Sequence, residues 1–200
     1  MNFGLTSAHH LNNLKSCGIG VEFRANLVQP LKLRSISPNF FDKCIERKVE
    51  IKRFDKLPKL GNTYLLFLTK YQEIEVIPDI FLFGYETALN ENKYLECNYA
   101  EISRYFWNIG RTGQGDEWFL SKIDNIIFYY DHDAGEYTRA GFKTLEINFS
   151  QFIQLALLCQ DLEHLLDEGR GLADDIKNIF VNSVNSISCN LFNAYPFKYF

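Results

Sequence analysis

Tyr105-Phe106-Trp107-Asn108-Ile109-Gly110-Arg111-Thr112-Gly113-Gln114-Gly115-Asp116-Glu117-Trp118-Phe119-Leu120 is followed, after a short break, by Ile126-Ile127-Phe128-Tyr129-Tyr130-Asp131-His132-Asp133-Ala134-Gly135-Glu136-Tyr137. Two apolar runs rich in aromatic and β-branched residues each end in a cluster of Gly and Asp, the composition of strands closed by tight turns. The stretch predicts a strand, a glycine turn, a second strand and, after a break, a third strand ending in an acidic turn. Gly110, Gly113 and Gly115 fall within six positions, which points to backbone at positive φ or pressed against a neighbour. A phosphate cradle would need a helix directly after those glycines. Asp116-Glu117-Trp118-Phe119-Leu120 is strand material instead, and it sets two carboxylates where a phosphate would sit.

Outward from this centre, the chain keeps the same character. At 200 residues, with 46% hydrophobic and 23% charged residues, it fits one domain with a full core, expected over 1–200. Within it we expect an N-terminal lead over 1–54, a core over 55–168, and a C-terminal helix with an aromatic tail over 169–200. No apolar run of 18 residues occurs, and the first ten residues lack a basic-then-apolar plan, so a cytoplasmic setting without membrane contact is expected. The cysteines Cys17, Cys44, Cys97, Cys159 and Cys189 are scattered and odd in number, which predicts reduced, buried thiols.

Ser7 is suited to cap a short helix, and Val21 to Arg24 alternates like a strand. Ile45 to Phe54 alternates at period two and predicts a half-exposed strand, its basic residues forming a solvated face rather than a nucleic-acid stripe. Thr63 to Tyr71 predicts a buried helix capped by Asn62, whereas Val76 to Gly84 predicts a strand that Pro78 places at an edge or bend. Tyr85 to Ala100 is polar and reads as irregular, with a helical turn starting at Tyr99.

The clearest helix starts near Asn148, capped either by Asn148 with Gln151 or by Ser150. It carries Phe152, Leu155, Leu158, Cys159, Leu162, Leu165 and Leu166 on one face and stops at Gly169. A second stripe runs from Leu172 through Ile176, Ile179, Phe180, Val184 and Ile187 to Leu191, and the aromatic end, Tyr195 to Phe200, is expected to pack back on the body. Strands in the middle and helices at the end predict an α+β domain with a mainly antiparallel sheet flanked by helices.

Charge is uneven. Asp131 to Asp175 holds ten acidic residues against three basic ones, whereas Lys43 to Lys59 holds seven basic against three acidic. The Asp131-His132-Asp133 triplet departs from calcium-loop spacing and predicts a hairpin turn; on a strand, His132 and its flanking acids would point to opposite faces. No nucleophile elbow, metal helix or Cys-x-x-Cys is present, so no catalytic, cofactor or metal residue is expected.

The segment Trp107-x-Ile109-Gly110-x-Thr112-Gly113-x-Gly115-Asp116-x-Trp118, with Tyr129 to Gly135, Asn148 to Ile153, and Leu57-Pro58 before Tyr64-Leu65-Leu66-Phe67-Leu68, resembles the SUKH superfamily over roughly 55–168. The resemblance implies a SUKH-like α+β domain that acts by binding. Bacterial members are similar to immunity proteins that neutralise toxins, often nucleases, and other relatives are regulatory scaffolds. It assigns Gly110, Gly113, Gly115, Asp116 and Trp118 as fold determinants. The expected partner is a protein, a toxin domain, with no direct nucleic-acid contact; the alternative is a scaffold on a cellular partner. The expected surface is acidic, drawn from Asp131, Asp133, Glu136, Asp161, Asp167 and Glu168.

Overall fold

A computed structural model describes residues 40–49, 51, 55–167 and 172–200. The helix and strand expected before residue 40, and the stop at Gly169, lie outside the described residues. Six strands form one antiparallel sheet in chain order: β1 (Ile74–Ile77), β2 (Ile80–Leu82), β3 (Phe106–Arg111), β4 (Glu117–Ser121), β5 (Ile126–Tyr130) and β6 (Lys143–Asn148). The helices are α1 (Asn62–Lys70), α2 (Tyr85–Asn98), α3 (Ala100–Ser103), α4 (Phe149–Asp167), α5 (Asp174–Ile187) and α6 (Leu191–Ala194). The α+β class and the antiparallel sheet expected from the sequence are thus present.

Strand alternation splits the apolar residues between two cores. Trp107, Ile109, Trp118, Leu120, Ile127, Leu145 and Ile147 face α1 and α4, together with Tyr64, Phe67 and Phe152. Phe106, Phe119 and Tyr130 face the other way, toward Leu95, Ile102 and Phe142, and Phe106 stacks on Phe142 with ring centroids 4.0 Å apart. The glycine turn joins two strands and no helix springs from it, as the two acids after it required. Gly110 lies against β2, where an added Cβ would stand 2.3 Å from the Phe81 carbonyl oxygen, and Gly115 holds φ at +103°.

Several elements differ from expectation for physical reasons. The run Val76 to Gly84 is a hairpin, because Pro78-Asp79 turns the chain between β1 and β2. Tyr85–Asn98 is helical; its buried stripe is Ala88, Asn92 and Leu95, and the asparagine at its centre hides the period. Asn92 earns burial by donating to the Asn108 carbonyl and accepting from the Asn108 N–H, both at 2.8 Å. Gly61, not Asn62, occupies the cap position of α1, and the Gly61 N–H donates to Asn125 Oδ1 at 2.7 Å. Among the described residues of the strand expected over Ile45 to Phe54, the structure shows an isolated bridge, Glu46 to Tyr71, with Ile45 and Val49 largely exposed; residues 50 and 52–54 lie outside the described residues.

The capping residues of α4 follow the sequence. Gln151 N–H donates to Asn148 Oδ1, and Asn148 N–H donates to Gln151 Oε1, each at 3.0 Å. More of α4 is buried than one stripe, since Ile153, Ala156 and Leu157 are covered as well, α5 packing against it beside the sheet. The tail packs back: the Tyr195 ring lies nearly parallel to Trp118, at 4°, and Phe197 meets Trp118 and Tyr129 edge-on. Cys44 and Cys159 are buried free thiols, but Cys97 and Cys189 are exposed, against expectation.

Gly110→Ala forces the β2 and β3 backbones apart, and its urea-unfolding midpoint is expected to report a loss of about 1–3 kcal/mol. Gly113→Ala, whose Cβ would lie 3.4 Å from the Pro78 carbonyl oxygen at ordinary φ, is expected to stay within about 0.5 kcal/mol of the parent. Equal effects of the two substitutions would contradict the close approach.

Candidate functional site: an acidic end of the sheet

An antiparallel meander sends alternate connections to opposite ends of the sheet. The β1–β2, β3–β4 and β5–β6 connections therefore share one end, and they are stitched together there. Gly113 N–H donates to the Pro78 carbonyl oxygen at 2.8 Å, and Trp118 Nε1 donates to the Asp79 carbonyl oxygen at 2.7 Å, joining the first two connections. Asp116 joins the second to the third: its Oδ1 accepts from the His132 backbone N–H at 3.1 Å and from His132 Nδ1 at 2.7 Å. The turn itself is closed by Thr112, whose hydroxyl accepts from the Asp116 N–H at 3.0 Å.

Asp116 is buried, and burial opposes its ionisation, but the hydrogen bonds from His132 outweigh that and hold its carboxyl below the usual range. The same bond raises His132 above the ordinary imidazole value despite partial desolvation, with Asp133 adding to the effect. The sequence predicts a hairpin turn at Asp131-His132-Asp133, with the side chains diverging were these residues on a strand. They lie on a 3-10 turn, His132–Ala134, that brings Asp133 Oδ1 to 3.2 Å from His132 Nε2. Asp131 caps this turn, accepting from the Asp133 N–H at 3.0 Å.

Two further carboxylates complete the end. Asp79, half-buried in the β1–β2 turn, is pushed up to about 6 by burial and then by the charges of Glu163 and Asp116. Glu163 projects from α4 and accepts from the Tyr199 hydroxyl at 2.9 Å. Asp79, Asp116, Asp131, Asp133 and Glu163 thus come from four separate segments. Of the acids expected from the sequence, Asp131 and Asp133 belong to this end, and Asp167 stands one turn beyond Glu163 on the same side of α4. Asp161 lies about 200° round the helix from Glu163. Glu136 is carried along the β5–β6 loop toward Tyr99, and Glu168 lies outside the described residues. Asp79 was hidden in a run that looks like one strand, whereas Asp116 and Trp118 make the hydrogen bonds that tie the β3–β4 turn to its neighbours.

Asp116, Asp131 and His132 each offer a ligand atom within 4.8 Å of one another. Both imidazole nitrogens face carboxylates and the ring is biased toward its cationic form, so this donor set suits an ion-paired imidazolium rather than a metal ligand. His132 Nε2 lies 3.2 Å from the Asp133 carboxylate, and Asp116 also meets the Tyr129 hydroxyl. Another partly buried acid, Glu117, accepts from Asn108 Nδ2 at 2.6 Å and from the Tyr137 hydroxyl, and burial nevertheless keeps its carboxyl raised.

No protein-family model, curated protein or solved structure matches the chain. The chemistry of the site rests on its own residues, and what it offers is fixed negative charge on a braced platform.

Because the folded-state value of His132 is raised, the pair's contribution to stability is complete below the unfolded imidazole value and is lost as pH rises through the folded one. Asp116, being lowered, keeps its contribution until pH falls through its own depressed value. The stability advantage over His132→Ala is expected to be largest between the carboxylate range and about pH 6 and to shrink above neutrality. An NMR titration of the imidazole should show a raised value that returns toward normal in Asp116→Asn; an identical titration in both proteins would remove the pair from the account.

Proposed function

We propose that this chain is a binding protein of the immunity kind, which neutralises a toxin by covering it. Its acidic end docks against a basic, phosphate-handling groove on a toxin domain of the nuclease type. The observation that supports this most is the gathering at one end of the sheet of Asp79, Asp116, Asp131 and Asp133, on turns pinned to each other by hydrogen bonds, with Glu163 of α4. Preorganised charge of one sign speeds encounter with a surface of the other sign and competes with phosphate for it. A nuclease groove carries such a surface because it must neutralise a nucleic-acid backbone. The SUKH resemblance supports the same reading. The partner is a protein, and among the described residues no helix is long and apolar enough to cross a membrane.

A cationic partner favours the ionised form of Asp79, so affinity is expected to rise as pH increases through about 6. The triple variant Asp131→Lys/Asp133→Lys/Glu163→Lys should slow association with a cognate toxin domain of the nuclease type by about tenfold or more at low salt. It should also abolish growth rescue on co-expression, whereas Glu136→Lys should have the smaller effect. Unchanged association and rescue in the triple variant would exclude the acidic end as the docking surface.

A further inference from the structure

At the opposite end of the sheet, where β3 starts and β4 ends, a cleft of about 560 Å³ opens between α2, the β4–β5 turn and Asp55 to Pro58. Its wall carries Lys122, Lys93 and Lys56. Lys122 is half-buried; its Nζ donates to the Ser103 carbonyl oxygen at 2.5 Å and sits 5.5 Å from the centre of the Trp107 ring. Lys56 and Lys93 are exposed on the rim. Asp55 and Glu96 also border the cleft, yet among the described residues none of the three lysines is ion-paired with a carboxylate.

An ammonium group has three donors, and only one of those on Lys122 has a protein acceptor. Burial disfavours the charged form of Lys122 and lowers its basicity, and the charge of Glu96, which borders the same cleft without pairing to it, offsets this only in part. The Trp107 ring face lends partial compensation, but its indole N–H cannot serve an anion, because it donates to the Tyr64 hydroxyl at 3.1 Å. A bound anion would complete that compensation. The volume falls within the range of small-molecule sites, and lysines bind phosphate as point charges without demanding a planar partner.

We propose that this cleft binds a small, multiply charged anion of the phosphate class, with Lys122 at the floor and Lys56 and Lys93 closing on it from the rim. The ligand contacts the end of the sheet away from the acidic residues, so the cleft and the docking surface operate independently. It enters as a compact anion, and its charge adds to the partial compensation that Glu96 gives Lys122.

Isothermal titration of the full chain with inorganic pyrophosphate at low ionic strength tests this, with citrate as a carboxylate of comparable charge. Saturable binding of pyrophosphate is expected, weakened about tenfold or more in Lys122→Met, since a charge-assisted hydrogen bond is lost. Lys122→Met also loses the Ser103 contact, so Lys56→Glu/Lys93→Glu, which alters only exposed side chains, is measured beside it and should weaken binding without moving the melting temperature. Citrate binding as tightly as pyrophosphate would overturn the phosphate class. No binding of either anion, or pyrophosphate binding that is the same in all three proteins, would overturn the site.

Discussion

One oxygen of the buried Asp116 carboxylate accepts two hydrogen bonds from a single residue, the backbone N–H and the imidazole of His132. A buried carboxylate left without donors is costly, so this arrangement constrains both segments that supply it. The β3–β4 turn cannot move without releasing the charge, and the β5–β6 loop cannot unwind its 3-10 turn without removing the donors. The same β3–β4 turn holds the β1–β2 hairpin through Gly113 and Trp118. Three turns that would otherwise be separate hairpin tips therefore form one rigid surface.

The meander is what makes this surface possible. With strand order equal to chain order, alternate connections collect at one end, and acids from Asp79 to Asp133 meet there although they are far apart in sequence. The other connections collect at the opposite end, beside Lys122. Helix α4 leaves β6 at that lysine-bearing end and climbs the sheet, delivering Glu163 to the acids and burying Phe152 against Trp118 on the way. The topology thus gathers acids from distant stretches of sequence at one end, alongside Arg111 and Lys143, a clustering that the modest net charge of -4 conceals.

Where the sequence was legible, a fixed local spacing tied residue type to geometry. The glycine turn declared itself because strand-forming aromatics gave way to Gly and Asp, and the cap of α4 because Asn148 and Gln151 stand three residues apart. The helix Tyr85–Asn98 was illegible because its buried stripe has an asparagine in the middle, whose partner is a β3 backbone group remote in sequence. Asp79 was lost for a similar reason: Pro78 hinted at a bend, but apolar residues on both sides imitate one continuous strand. Glu136 and Asp161 show the converse case. They neighbour the acidic cluster in sequence, but loop path and helix phase carry them elsewhere. The 3-10 turn at His132 is set by Asp131 as its cap and Asp116 as its anchor, and the anchor cannot be inferred from the triplet alone.

If Asp116 fastens the acidic end, its removal must loosen segments that it does not adjoin in sequence. Hydrogen exchange followed by mass spectrometry on Asp116→Ala addresses this directly. Exchange should accelerate together in the Thr112–Asp116 turn and in the His132–Gly135 segment, while α4 keeps its protection. Acceleration confined to the β3–β4 turn, with the amides at His132 and Gly135 as slow as in the parent, would contradict the account.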